Sequence, residues 1–191
     1  MEKFVIHGGT PLHGVMQPSG NKNAALPSMA ACLLTDEPVI LHNVPDIVDV
    51  ITMRKLMESL GVSVKRLGET SSWEFQAKEV RPADLDPDIC RQIRASILLA
   101  GPMLARSGGL VLPPPGGDVI GRRRVDTHIL ALQQLGASFF YDNSFHFSAN
   151  GLTGADILLD EASVTATENA IMAAVRAKGR TILRNAASEP H

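Results

Sequence analysis

Apolar and polar positions along the chain repeat one pattern three times. A helical stretch of apolar residues, a turn with glycine or an acid, and a short β-rich run read KNAALPSMAACLLTDEPVIL, RASILLAGPMLARSGGLVL and TENAIMAAVRAKGRTIL. Their closing leucines, Leu41, Leu112 and Leu183, lie 71 residues apart in both intervals. Self-similarity at a fixed period marks one supersecondary unit used repeatedly. After the first two runs a second helix is predicted, ending in Leu60-Gly61 and Leu135-Gly136. Met53, Leu56, Met57 and Leu60 fall on one helical face, and Gly61 sits where a left-handed cap is expected. The runs VSVKR and WEFQA, then ASFF and FHFSA, predict paired strands. Each unit therefore reads βαβαββ, the units span about 22–84, 85–155 and 156–191, and the fold class is α/β with α+β character. The third unit reads as incomplete. RNAASEPH follows its strand TIL, and Ile171, Met172, Ala174 and Val175 leave an apolar helix face without a partner.

Composition narrows the function classes. At 191 residues and 45% hydrophobic, the chain can build one domain core and part of a second. The 18 Lys+Arg against 20 Asp+Glu give no general attraction to nucleic acid or to an anionic membrane, so an anion site must be a local cluster. Cys32 and Cys90 lack CxxC or Cys/His spacing, which predicts buried thiols in a reducing compartment and no metal. MEKFVIHGGT has no long apolar run, and the most apolar stretch, Ala95 to Ala105, is short and holds Pro102. A cytoplasmic protein with no membrane partner is expected.

Four segments could carry chemistry. Gly20-Asn21-Lys22-Asn23 places an ammonium and free backbone N–H groups at a helix start, suited to phosphate or carboxylate, although on these residues alone an ordinary helix start with a solvated lysine is the favoured reading. PPPGGDVIGRRRVDTH, residues 113–128, reads as a long irregular loop. Arg122, Arg123 and Arg124 could hold phosphate, but alternation along an extended segment keeps all three from facing one ligand, and a solvated basic loop explains the run equally well. Arg91 and Arg94 stand near the start of an apolar helix, where positive charge opposes the helix dipole, a hint of anion binding at Arg94. At the third helix start, Ser163-Val164-Thr165-Ala166-Thr167-Glu168, reciprocal capping by Thr165 and Glu168 competes with ligand binding by exposed N–H groups. Trp73, His7, His13, His42 and His146 read as structural, and Asp126 and His128, two residues apart, share no helical face.

Taken in order, GNKNAALP, IRASILLAGPMLAR, PGGDVIGRRRVDTHI, DEASVTATENAIMAA and NAASEPH resemble the UDP-N-acetylglucosamine 1-carboxyvinyltransferase family over essentially the whole chain. The resemblance implies an inside-out α/β barrel built from βαβαββ units in two domains that clamp the substrates. Residues 1–21 would hold a strand segment that joins the second domain, 22–191 would form most of the first, and the second would be absent. The implied reaction transfers the enolpyruvyl group of phosphoenolpyruvate to UDP-N-acetylglucosamine, in peptidoglycan synthesis, without a cofactor. By the family pattern Lys22 and Asn23 would contact phosphoenolpyruvate, and Arg94, Arg123, Arg124, Val125, Asp126 and Thr127 the UDP-sugar, with Arg123 also near the enolpyruvyl phosphate. Ser163, Val164 and Thr165 would meet the diphosphate. Asp118 stands at the position of the general acid, more often a cysteine, and Arg124 where proline is usual. Two other readings are a non-catalytic half-clamp that binds anions or nucleotide-sugars, and a shikimate-type enolpyruvyl transferase. Against the latter, the entry here is KNAALP rather than a KSxSxR-like run.

Overall fold

The structure, a computed structural model, describes residues 3–82, 85–117 and 124–191. Asp118, Arg122 and Arg123 lie outside the described residues. In the first unit the side chain of Asn21 opens α1 (Lys22–Ala31) by accepting from the N–H groups of Asn23 and Ala24 at 2.7 and 3.1 Å. These are two of the donors that any helix start leaves unpaired. A 3-10 turn (Cys32–Leu34), β1 (Val39–Leu41), α2 (Val48–Ser59), β2 (Ser63–Arg66) and β3 (Trp73–Gln76) follow. β3 lies between β1 and β2 and runs antiparallel to both, so β1 and β2 are parallel to each other and α2 crosses between them.

The second unit has the same topology. After α3 (Pro87–Gln92) come a 3-10 segment (Arg94–Leu99), α4 (Ala100–Ser107), β4 (Gly109–Leu112), α5 (Asp126–Gln134), β5 (Ser138–Tyr141) and β6 (Phe145–Ser148), in sheet order β4-β6-β5. The apolar run after Arg94 is thus two pieces rather than one helix. Pro102 has no N–H to close an α-helical turn onto Leu98, and the tighter 3-10 geometry precedes it. The third unit contributes β7 (Asp156–Leu158), α6 (Val164–Ala174) and β8 (Ile182–Arg184), with β7 parallel to β8.

The strand expected to open every unit is found, among the described residues, only in the third, where β7 has β8 as partner. Residues 3–21 form no strand, and residues 3–19 are exposed. Their backbone groups have no neighbouring strand to pair with. The cap predicted at Gly61 is present, with φ of 95°, and Gly136 at the matching Leu-Gly helix end has φ of 99°. The segment 113–128 is irregular only in part, since its last three residues open α5.

The helices form the inside. α1, α4 with its 3-10 lead, and α6 pack on one another, with α2 against α1 and α5 against α6. Met29, Leu33, Met53, Leu98, Met103 and Leu132 belong to one continuous core, and each such side chain fully buried stabilises the fold by roughly 1.5–3 kcal/mol. The two three-stranded sheets flank this core, turning Phe75 and Phe147 inward. Arg106 joins the first two units, donating to the carbonyls of Leu33 and Ala77 at 3.1 and 3.0 Å. Among the described residues no helix is long and apolar enough to cross a membrane.

Candidate anion-binding cleft

Counting back 18 residues from Leu41, Leu112 and Leu183 reaches Asn23, Arg94 and Thr165. These equivalent positions stand at the starts of α1, of the 3-10 lead into α4, and of α6, and all three line one cleft of about 340 Å³. Three units packed around one core turn the same ends of their first helices to the same side. Each such end carries partial positive charge, although Asn21 already takes the N–H groups of Asn23 and Ala24 at α1 and Ser163 that of Ala166 at α6, so their convergence favours an anion mainly through charge.

Lys22, also in the cleft, forms an ion pair with Asp49 at 2.9 Å. An anion must compete with Asp49 or use the remaining ammonium protons. Arg94 reaches sideways, donating from Nη2 to the carbonyl of Arg124 at 2.7 Å, which ties the cleft to the loop before α5. On the other side of that loop Arg124 meets Asp126 at 2.9 Å and Asp160 at 3.0 Å, and Thr127 donates its hydroxyl to Asp160 at 2.6 Å. The hydrogen bond from Arg124 holds Asp126 below the usual carboxylate range, and the same contact raises Arg124. Arg124 and Asp126 line a second, shallow depression. Val125 is the residue before α5, without a side-chain cap.

The anticipated site residues therefore divide. Lys22, Asn23, Arg94, Val164 and Thr165 share the cleft, whereas Arg124, Asp126 and Thr127 form a cluster with Asp160 beside it. Ser163 caps α6, its hydroxyl accepting from the Ala166 N–H at 3.4 Å. This corrects the expected capping by Thr165 and Glu168, whose side chains are engaged elsewhere. Thr165 Oγ1 meets His128, and Glu168 pairs with His191 at 2.8 Å on the cleft wall. Burial raises the Glu168 pKa, and the hydrogen bond from His191 partly offsets that. Arg91 also departs from expectation. It lies in the last turn of α3, where positive charge suits the dipole, and pairs with Asp88 at 2.7 Å.

The double glycine before Asp118 has a packing reason. The N–H groups of Gly116 and Gly117 donate to the carbonyls of Cys90 and Arg91 at 3.3 and 3.0 Å. A Cβ on Gly116 would stand 1.8 Å from the Arg91 oxygen, and Gly117 has φ 88°. Only glycines let the loop lie this close, and Gly117 thereby lines the cleft beside Arg94. Both thiols are buried and free; burial pushes Cys32 up to about 12 and Cys90 up to about 11, so they are inert at neutral pH.

Sequence reading missed His128 and Asn169, both buried directly behind Thr165. Desolvation first, and the charge of Arg94 second, lower the His128 pKa from 6.5 to about 3. A usable signal existed: Thr127 and His128 lie on the stripe of α5 that continues through Ala131, Leu132 and Leu135 into the core. Among the described residues no three His, Cys, Asp or Glu side chains gather as a metal site.

The family model described as EPSP synthase (3-phosphoshikimate 1-carboxyvinyltransferase) matches residues 6–191. The chain belongs to this family. Within the EPSP synthase family it is 57% identical to the UDP-N-acetylglucosamine 1-carboxyvinyltransferase of Bradyrhizobium diazoefficiens, over 99% of this chain and 44% of that protein. It is 56% identical to the protein of that name from Treponema denticola, over 100% of this chain and 45% of the relative. The chain thus spans less than half the length of these curated relatives. Among solved structures of the family's fold, the enolpyruvyl transferase NikO from Streptomyces tendae superposes with a TM-score of 0.75 at 24% identity, over 93% of this chain and 42% of that one. EPSP synthase from Acinetobacter baumannii gives 0.72 at 16%, over 93% and 41%. Identities this low speak to the fold alone.

Proposed function

We propose that this chain, as part of a protein of its relatives' length, transfers the enolpyruvyl group of phosphoenolpyruvate to the 3-hydroxyl of UDP-N-acetylglucosamine, in the cytoplasm, for peptidoglycan synthesis. One observation carries the proposal: three repeat-equivalent helix starts, bearing Asn23, Arg94 and Thr165 with Lys22 beside them, open into one cleft. The names of the relatives above supply the acceptor and the carboxyvinyl group, and the family resemblance supplies phosphoenolpyruvate as its donor. In this reading Lys22 and Asn23 take phosphoenolpyruvate. Arg94, Arg124, Val125, Asp126 and Thr127 take the UDP-sugar, and Ser163, Val164 and Thr165 its diphosphate. Arg123 lies near the enolpyruvyl phosphate. Residues 1–21, with Phe4, Val5 and Ile6 exposed, pair with the second domain.

The sugar hydroxyl oxygen adds to C2 and gives up its proton to solvent, while C3 takes a proton from an acid, giving a tetrahedral intermediate. Phosphate then leaves from C2 and a proton from C3, restoring the double bond. The positive helix ends and Lys22 stabilise the anionic groups throughout. Asp118 delivers the first proton, which requires a carboxyl kept protonated by burial against the pull of nearby arginines. A carboxyl cannot form the thioether by which fosfomycin inactivates a cysteine enzyme. Activity of the full-length protein is therefore expected to survive brief fosfomycin treatment, and its loss would refute the role of Asp118.

The test measures phosphate release from phosphoenolpyruvate by this chain and by a chain extended to its relatives' length. Turnover with UDP-N-acetylglucosamine in the extended chain alone is the expected result. The family description favours a second reading, with 3-phosphoshikimate as acceptor, and turnover with that compound instead would establish it. Binding of UDP-N-acetylglucosamine with no turnover in either chain would make this a binding module.

A further inference from the structure

Behind Thr165 runs a chain of hydrogen bonds whose directions follow from its far end. The N–H of Gly101 donates to Asn169 Oδ1 at 2.8 Å, and Asn169 Nδ2 donates to the carbonyl of Ile97 at 2.7 Å. A backbone N–H can only donate and a carbonyl can only accept, so two groups that cannot flip set the orientation of this buried amide. The same Nδ2 lies 2.9 Å from His128 Nδ1, which must accept and therefore carries no proton. The single ring proton sits on Nε2, 3.0 Å from Thr165 Oγ1, and is donated to that hydroxyl. Burial of the ring, which favours its neutral form, agrees with this tautomer. Thr165 must then aim its own hydrogen elsewhere. Among the described residues His128 is the hydroxyl's one hydrogen-bonding partner, and Thr165 lines the cleft.

The packing is specific to this relay. A Cβ on Gly101 would stand 2.5 Å from the Asn169 carbonyl and 2.7 Å from its Oδ1, so α4 and α6 approach this closely only because Gly101 has no side chain. An unassisted threonine hydroxyl rotates freely and can turn a lone pair toward an anion. A hydroxyl that already accepts from His128 turns its hydrogen there instead.

We propose that His128 and Asn169 are positioning residues that hold the Thr165 hydroxyl as a donor aimed at the diphosphate of a bound nucleotide-sugar. The proposal rests on the reading of the cleft given above. The experiment titrates the full-length protein with UDP-N-acetylglucosamine and, separately, with pyrophosphate, and records the imidazole nitrogen resonances of the ligand-free protein. Thr165→Val is expected to weaken binding of both probes about tenfold, the loss of one hydrogen bond to a charged group. His128→Leu should cost a similar factor alone but less than about twofold on top of Thr165→Val, because both remove the same interaction. His128→Gln, which keeps a donor toward Thr165 and an acceptor toward Asn169, should restore binding to within about threefold of the unaltered protein. The nitrogen spectrum should show the proton on Nε2.

Losses that multiply in the double variant, or a proton found on Nδ1, overturn the proposal, and His128 is then only part of the core. Pyrophosphate binding that depends on Thr165 and His128, without binding of UDP-N-acetylglucosamine, keeps the relay and removes the nucleotide-sugar. Failure of both probes to bind the unaltered protein overturns the cleft reading and the relay's purpose together.

Discussion

The starts of α1 and α6 occupy equivalent places in the repeat and face the same cleft, yet they are built in opposite ways. At α1 the cap is Asn21, exposed, and the charge is Lys22 on a flexible stem held by Asp49 at 2.9 Å. At α6 Thr165 lines the cleft, and its hydroxyl is backed by His128 and Asn169, both buried, and by backbone groups of α4 and its lead. One side offers adaptable charge. The other offers a single hydrogen-bond direction set in advance. A cleft that combines them can attract an anion from solution and still orient it, which neither feature achieves alone.

The sharpest way to separate the two sides is acid. Because the folded-state pKa of His128 is depressed from 6.5 to about 3, the neutral ring contributes stability that is complete above pH 6.5 and lost as pH falls toward 3. Between pH 7 and pH 4 this loss should reach about 3 kcal/mol. Urea unfolding of the unaltered chain and of His128→Gln across that range isolates it from the carboxylates. Equal acid sensitivity in the two would show that His128 is not buried as neutral imidazole. A slightly smaller effect is expected at the other side, where Lys22→Met should lower kcat/KM for phosphoenolpyruvate in the full-length protein by about 100-fold, with little change in thermal stability. A large drop in Tm instead would make the pair with Asp49 structural. The smallest effect is at the cap: Asn21→Ala should cost about 1 kcal/mol in the same urea assay, without the pH dependence seen for His128. A negligible cost would mean that water caps α1 as well as the side chain does.

Much of the fold was legible because repetition writes the same instruction several times. The leucines at a common interval, the Leu-Gly helix ends and the alternating runs located the helices and hairpins of the first two units, and the strands formed where alternation put them. Where the reading went wrong, a local rule met a tertiary competitor. Thr165 and Glu168 have capping chemistry at capping spacing, but Ser163 is in the cap position, while His128 and His191 engage the other two. Arg91 and Arg94 looked alike at the start of an apolar run, yet a separate short helix ends at Gln92 and puts them on different elements.

The outer faces of the two sheets show how far one topology constrains its sequence. At matching positions of the pairs β2–β3 and β5–β6, Lys65 faces Glu74 as an ion pair at 3.6 Å, while Phe140 stacks on His146 at 4.2 Å. The inner face stays apolar in both: Phe75 and Phe147 close the core, opposite Val64 in one sheet and Phe139 in the other. Burial keeps these positions apolar, whereas a solvated cross-strand pair tolerates either chemistry at a cost of a few tenths of a kcal/mol to about 1 kcal/mol.

By itself the sequence determined the class of the fold, the threefold repeat, the helix starts that carry Lys22, Asn23, Arg94 and Thr165, and the resemblance that named a chemistry for them. These are local or periodic properties, written in residues close together along the chain. Tertiary structure alone decided that the three helix starts share one cleft, that Arg124, Asp126 and Thr127 turn to Asp160 beside it, and that His128 stands between Thr165 and Asn169. Hydrogen-bond direction depends on which groups are brought within 3 Å of one another, and residues 41 and 37 positions apart meet at His128 only once the helices have packed.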